Sequence, residues 1–151
     1  KNLIETVAQI LKDSALDPKW LEFEMTESAI MHNDKSTVYT LRALRDMGIN
    51  LSIDDFGTGF SSLNYLRFLP VNRLKIDQSF VRSAPTDEAD AAISKAIITI
   101  AHSLKLEVTA EGIETVEQLE FFRALNCDEA QGYLFYKPLP ADEIASCYLD
   151  Q

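Results

Sequence analysis

The chain alternates helical and strand-like segments, and in almost every strand-like segment one parity is apolar while the other is polar. Consecutive strand residues point to opposite faces, so Ile49, Leu51 and Ile53 face one way and Asn50, Ser52 and Asp54 the other. Leu74 and Ile76 oppose Arg73, Lys75 and Asp77. Leu106, Val108 and Ala110 oppose Glu107, Thr109 and Glu111, and Leu21, Phe23 and Met25 oppose Glu22 and Glu24. An open sheet with helices on both sides would be apolar on both parities. One polar parity instead predicts a (β/α) barrel, whose helices cover the apolar side and whose interior turns polar towards the C-terminal mouth.

The helical segments support that architecture. Leu3, Ile4, Val7, Ile10 and Leu11 share a helical face that ends at Asp17-Pro18, before a strand from Trp20 to Met25. A helix from Lys35 to Met47 is closed by Gly48, where a left-handed cap is wanted, and leads to a strand from Ile49 to Asp54. After the loop DDFGTGFSS come a short helix over about Leu63 to Phe68, stopped at Pro70, and a strand from Arg73 to Asp77. A helix from Ala89 to Leu104 precedes the strand Leu106 to Glu111. Thr115 to Gln118 has capping-box spacing and opens a helix carrying Val116, Leu119, Phe122 and Leu125. A strand over about Glu129 to Phe135 and a helix over about Ala141 to Leu149 complete the pattern. Strands separated by crossover helices run parallel.

Charge limits the partners. With 24 acidic and 14 basic residues the net charge is −10, which argues against DNA or RNA polymers, since these need clustered cations. No apolar run is long enough for a membrane span, and the beginning lacks a signal-peptide pattern. A cytoplasmic location is expected, with any membrane tether supplied by upstream segments. Cys127 and Cys147 have no metal-ligand spacing and read as small buried thiols.

Glu24, Asp54, Lys75, Glu111 and Gln131 all fall at or near the C-terminal ends of their strands, where a barrel gathers its catalytic groups. Clustered carboxylates repel one another unless a divalent cation neutralises them. Oxygen-only donors select Mg²⁺ or Mn²⁺ over zinc. The adjacent Asp54 and Asp55 suit a two-metal site for attack of water on a phosphodiester, with Lys75 holding an anionic oxygen or orienting the nucleophile. Glu117 and Glu120 read as solvated helix charges. His32 and His102 have no ligand-spaced partner, and Ile97-Ile98 and Phe121-Phe122 read as core.

Taken together, Glu24-Met25-Thr26-Glu27-Ser28, Asp54-Asp55-Phe56-Gly57-Thr58-Gly59, Leu74-Lys75-Ile76-Asp77, Ala110 to Thr115 (AEGIET) and Gln131 to Phe135 (QGYLF) resemble the motifs of the EAL-domain phosphodiesterases, which linearise cyclic di-GMP. The resemblance implies that Glu24 and Asp54 bind one metal and Asp54, Asp55 and Glu111 a second. It implies that Lys75 assists the attacking water, with Glu111 a candidate general base. Glu27 would anchor the DDFGTG loop, often at a dimer interface, so a homodimer is expected. Gln131 and Glu114 would support substrate binding. Phe60 stands where Tyr is common in the family and Asn126 where Gly is common; Asn tolerates the left-handed conformation.

The family's naming motif, E-x-L on an early strand, and the following strand with a metal-binding Asn do not occur in these 151 residues. Residues 1–151 are therefore expected to form the last five β/α units of a TIM-type barrel, a partial EAL domain with no second domain. On this expectation the isolated chain is inactive and its parent, carrying an upstream sensory or cyclase domain, hydrolyses cyclic di-GMP to linear pGpG. The alternatives are a receptor that binds cyclic di-GMP without cleaving it, or a fragment with a structural or dimerisation role.

Overall fold

The structure is a computed structural model and describes residues 3–31, 35–59 and 66–144. In chain order the elements are α1 (Leu3–Ser14), a 3-10 turn (Pro18–Trp20), β1 (Glu22–Thr26), α2 (Glu27–Met31), α3 (Lys35–Asp46), β2 (Asn50–Phe56), β3 (Arg73–Ile76), α4 (Gln78–Ser83), α5 (Glu88–Ser103), β4 (Glu107–Glu111), α6 (Val116–Ala124) and β5 (Glu129–Gln131). The strands form one sheet in the order β1-β2-β3-β4-β5, and every neighbouring pair is parallel. No helix among the described residues is long and apolar enough to cross a membrane.

The two parities separate as expected. Leu51, Ile53, Leu74, Ile76, Val108 and Ala110 are buried on one face, against a core that includes Leu41 and Leu44 from α3, Ile97, Ile98 and Ala101 from α5, and Phe122 from α6. Fully burying such an aliphatic side chain contributes about 1.5–3 kcal/mol. The other face curls inward. From β3, Arg73 reaches Glu22 on β1 at 3.0 Å, Glu107 on β4 at 2.7 Å and Glu129 on β5 at 2.9 Å. β1 and β5 each lie two strands from β3, about 9–10 Å away in a flat sheet, so one guanidinium meets both because the sheet is concave towards it.

Local chemistry moves several boundaries. Trp20 is not in β1, because Asp17 accepts from the Lys19 N–H and Pro18 occupies the first position of a 3-10 turn. Asp77 does not extend β3; its carboxylate accepts from the Ser79 N–H and caps α4, which the sequence pattern did not reveal. α2 was likewise not anticipated. β5 ends at Gln131 rather than Phe135, because the chain turns onto the segment after β4. Ile113 N–H donates to the Gln131 carbonyl at 3.0 Å, and Leu134 N–H to the Ile113 carbonyl at 3.0 Å. A Cβ at Gly132 would overlap that Ile113 carbonyl, so only glycine permits the approach.

In α1, Val7 and Leu11 are buried while Ile10 is 58% exposed. Ile10 stands about 100° round the helix from Leu11, on the flank of the stripe. Val116, at the first position of α6, is also exposed. The caps anticipated from sequence are present: Gly48 has φ 92°, Asn126 φ 59°, and Thr115 with Gln118 forms a reciprocal capping box. His32, Phe60, Ser61, Ser62, Cys147, the first half of the expected Leu63 to Phe68 helix and the end of the Ala141 to Leu149 helix lie outside the described residues; 141–144 are helical.

Candidate active site

The polar parities of β1 to β4 converge at the C-terminal ends of the strands. Lys75, buried on β3, places its ammonium 2.7 Å from Glu24 Oε1, 2.6 Å from Glu111 Oε1 and 3.6 Å from Asp54 Oδ1. Asp54, Asp55 and Glu111 each offer an oxygen within 4.8 Å of the others. Strict alternation would send Asp55 to the face opposite Asp54. The backbone prevents this: Asp55 takes φ 55°, and the β2–β3 register shifts between Ile53 and Phe56. A bulge of this kind re-aims a side chain at a strand end, and here it brings two sequential carboxylates into one cluster. Asp55 N–H donates to Asp54 Oδ1 at 3.0 Å, and Thr58 Oγ1 donates to the Asp55 carbonyl at 2.9 Å, closing the turn.

Glu27, at the start of α2, is buried and holds the loop that follows. Its Oε2 accepts from the Gly57 N–H at 3.1 Å. Gly57 has φ 102°, and a Cβ there would lie 2.9 Å from the Phe80 ring. A Cβ at Gly59 would lie 2.5 Å from Glu27 Oε1, which has no hydrogen-bond partner among the described residues. The loop thus packs directly on the carboxylate of Glu27.

Burial shapes the site's electrostatics. Desolvation raises the Asp55 pKa, helped by the neighbouring charges of Asp54 and Asp77. Desolvation also raises that of Glu111, overcoming the opposing pull of Lys75. Burial disfavours the charge on Lys75, yet hydrogen bonds to Glu111 and Glu24 and the field of Asp54 outweigh it, so its pKa rises. The ammonium form of Lys75 is thus favoured, and it faces the carboxylates as a hydrogen-bond donor.

Beside the carboxylates lies a cavity of about 290 Å³ lined by Asp55, Asp77, Gln78, Glu111, Gly112, Glu114, Gln131, Gly132 and Tyr133. Glu114 is positioned through its backbone, whose N–H donates to Gln118 Oε1 at 2.7 Å within the capping box of α6. Gln131 closes β5 opposite Glu111. All eight side chains singled out from the sequence thus lie at this end of the sheet, with Glu24 joined to the group through Lys75. Asp77, Gln78 and Tyr133 also line the cavity, a role that strand parity alone does not assign to them. For Asp77, its position one residue past β3 was the available signal. The donor set is all carboxylate oxygen, which fits a hard divalent cation. The trio Asp54, Asp55 and Glu111 is already close enough to share one.

The family model for the EAL domain matches residues 1–138. The chain belongs to the EAL family. It is 48% identical over 139 residues to the cyclic di-GMP phosphodiesterase NbdA of Pseudomonas aeruginosa, covering 92% of this chain and 18% of that protein. Its structure superposes on the PaMucR phosphodiesterase in complex with c-di-GMP with a TM-score of 0.90 at 42% identity, covering 95% of this chain and 58% of the other. A manganese and cyclic di-GMP complex of Klebsiella pneumoniae BlrP1 gives a TM-score of 0.83 at 30% identity, covering 89% and 34%. The curved parallel sheet is thus of the TIM-barrel type found in EAL domains, and the chain spans less than a fifth of NbdA.

Proposed function

We propose that this chain supplies most of the metal- and water-handling side chains of a phosphodiesterase that hydrolyses cyclic di-GMP to linear pGpG. The observation that carries the reading is the convergence of Glu24, Asp54, Asp55 and Glu111 around Lys75 at the C-terminal ends of four parallel strands. Glu24 and Asp54 are the ligands for one Mg²⁺ or Mn²⁺, and Asp54, Asp55 and Glu111 for a second. Bound there, the two ions supply Lewis acidity towards water and towards the phosphoryl oxygens.

The chain's own groups do the rest. Glu111, at the end of β4 beside Asp54 and Asp55, is the general base that accepts the proton of the attacking water. The water oxygen bonds to phosphorus as the bond to the ribose 3′ oxygen breaks, and that oxygen takes up a proton from solvent while Glu111 returns the one it received to solvent. Lys75 donates hydrogen bonds that orient the nucleophile or hold an anionic oxygen. Glu114 and Gln131 bind substrate from the cavity wall. Glu27 fixes the loop bearing Gly57 and so positions Asp55.

In this reading residues 1–151 are the last five of eight β/α units, in keeping with the 58% share of the PaMucR chain that they cover. The parent is a homodimer with an upstream sensory or cyclase domain. Cys127 is a free thiol, which suits a reducing, cytoplasmic setting. The test is a hydrolysis assay on cyclic di-GMP with Mg²⁺ or Mn²⁺, comparing this chain with one extended upstream by about 100 residues, the missing part of a typical barrel. The extended form is expected to produce pGpG, and Asp54→Asn or Glu24→Gln to lower kcat about a hundredfold or more. Binding without cleavage by the extended wild type would replace this reading with that of a receptor.

A further inference from the structure

The Lys75 ammonium is shared among carboxylates from three strands, Glu24 of β1, Asp54 of β2 and Glu111 of β4, at 2.7, 3.6 and 2.6 Å. Its own side chain is buried, and Asp54 and Glu111 are largely so, whereas Glu24 is half exposed, so screening by solvent is weakest in the contact with Glu111. Asp54 and Glu111 belong as well to the trio whose oxygens lie within 4.8 Å of one another. The same two carboxylates therefore face both the internal cation and the place where an external cation would be held. Without the ammonium, these groups would only repel one another across the mouth of the sheet.

We propose that Lys75 is the internal counter-ion of the metal-free site, holding Glu24, Asp54 and Glu111 together until a divalent cation takes over part of that neutralisation. The inference rests on the two-cation reading above and adds to Lys75 a positioning role separate from water handling. It has a cost in affinity. A fixed positive charge among the ligating oxygens opposes a second positive charge, so the carboxylates bind metal less tightly than they would without it.

The test uses the full-length protein stripped with a chelator. Melting temperatures are measured metal-free and with saturating Mn²⁺, and the Mn²⁺ Kd by calorimetry, for wild type, Lys75→Met and Lys75→Arg. Methionine keeps most of the stem and removes the charge. Lys75→Met is expected to melt several degrees lower when metal-free, to recover most of that loss with Mn²⁺, and to bind Mn²⁺ about tenfold more tightly or better. Lys75→Arg should retain the metal-free melting temperature and a Kd near that of wild type.

A Lys75→Met variant that folds only with Mn²⁺ would be the same result in extreme form. Equal destabilisation with and without Mn²⁺, including failure to fold in both, would mean that the lysine merely packs and would overturn the proposal. So would a metal-free melting temperature and a Kd that do not change, which would leave Lys75 acting on water alone. Failure of the wild type to bind Mn²⁺ at all would instead overturn the two-cation reading.

Discussion

Glu111 sits between two opposing influences: burial disfavours its charge and Lys75 favours it, with burial prevailing. Asp55 is shifted in the same direction, by burial and by Asp54 and Asp77. An acid whose folded pKa exceeds its unfolded value holds its proton longer in the folded state. From the ordinary values of 3.8 and 4.5 upward to the raised ones, the folded chain binds more protons than the unfolded, so stability falls as pH rises through that window. The metal-free stability of wild type relative to Glu111→Gln is therefore expected to decline as pH rises above about 4.5, the ordinary value of the carboxyl. Denaturant titrations across that range measure it, and a pH-independent difference would contradict the assignment. Saturating Mn²⁺ should reverse the trend, because ligation requires the ionised carboxylates.

Among the elements, the end of β2 depends on a partner outside it. The bulge that turns Asp55 towards Asp54 is followed by a loop whose Gly57 N–H is held by Glu27 from α2. Glu27→Ala removes that acceptor, and Gly59→Ala drives a Cβ into the same carboxylate. Each is expected to lower kcat by about tenfold or more, in line with the cost of misplacing a catalytic group by an ångström. The double variant should be no worse than Glu27→Ala alone, since the added methyl group then has nothing to meet. Additive losses in steady-state kinetics would show that the two residues act independently. This coupling was visible in the sequence only through the family resemblance. By contrast, the capping box of α6 could be read from the spacing of Thr115 and Gln118, because such a contact is local.

Over the whole molecule, two ionic groups are stacked on the inward face of the sheet. Arg73 gathers Glu22, Glu107 and Glu129 at the N-terminal end, and two residues later Lys75 gathers Glu24, Asp54 and Glu111 at the C-terminal end. The N-terminal end of such a barrel serves stability and the C-terminal end chemistry. Arg73 is 19% exposed and two of its partners are about half exposed, so its network is worth less than a fully buried one. Arg73→Met is expected to lower the unfolding free energy by about 1–3 kcal/mol while leaving the Mn²⁺ Kd within about threefold of wild type, a change below 1 kcal/mol. Denaturant unfolding and calorimetry on the same variant check both halves; a large loss of Mn²⁺ affinity would mean that the two groups are coupled.

The sequence by itself determined the alternation of helices and parallel strands, the apolar and polar faces of the sheet, the caps at Gly48 and Thr115, and the carboxylates and lysine gathered at the strand ends. These follow from periodicity and short-range spacing, which a chain carries wherever it is placed. Only the tertiary structure decided how Asp55 joins Asp54 in spite of strand alternation, that Asp77 caps a helix instead of prolonging a strand, and that Lys75 and Arg73 each bind carboxylates from three strands. Those outcomes depend on a bulge, a local hydrogen bond competing with the sheet, and the curvature that brings distant strands within reach of one side chain. No single segment encodes that curvature, because it arises from the twist and packing of all the strands together.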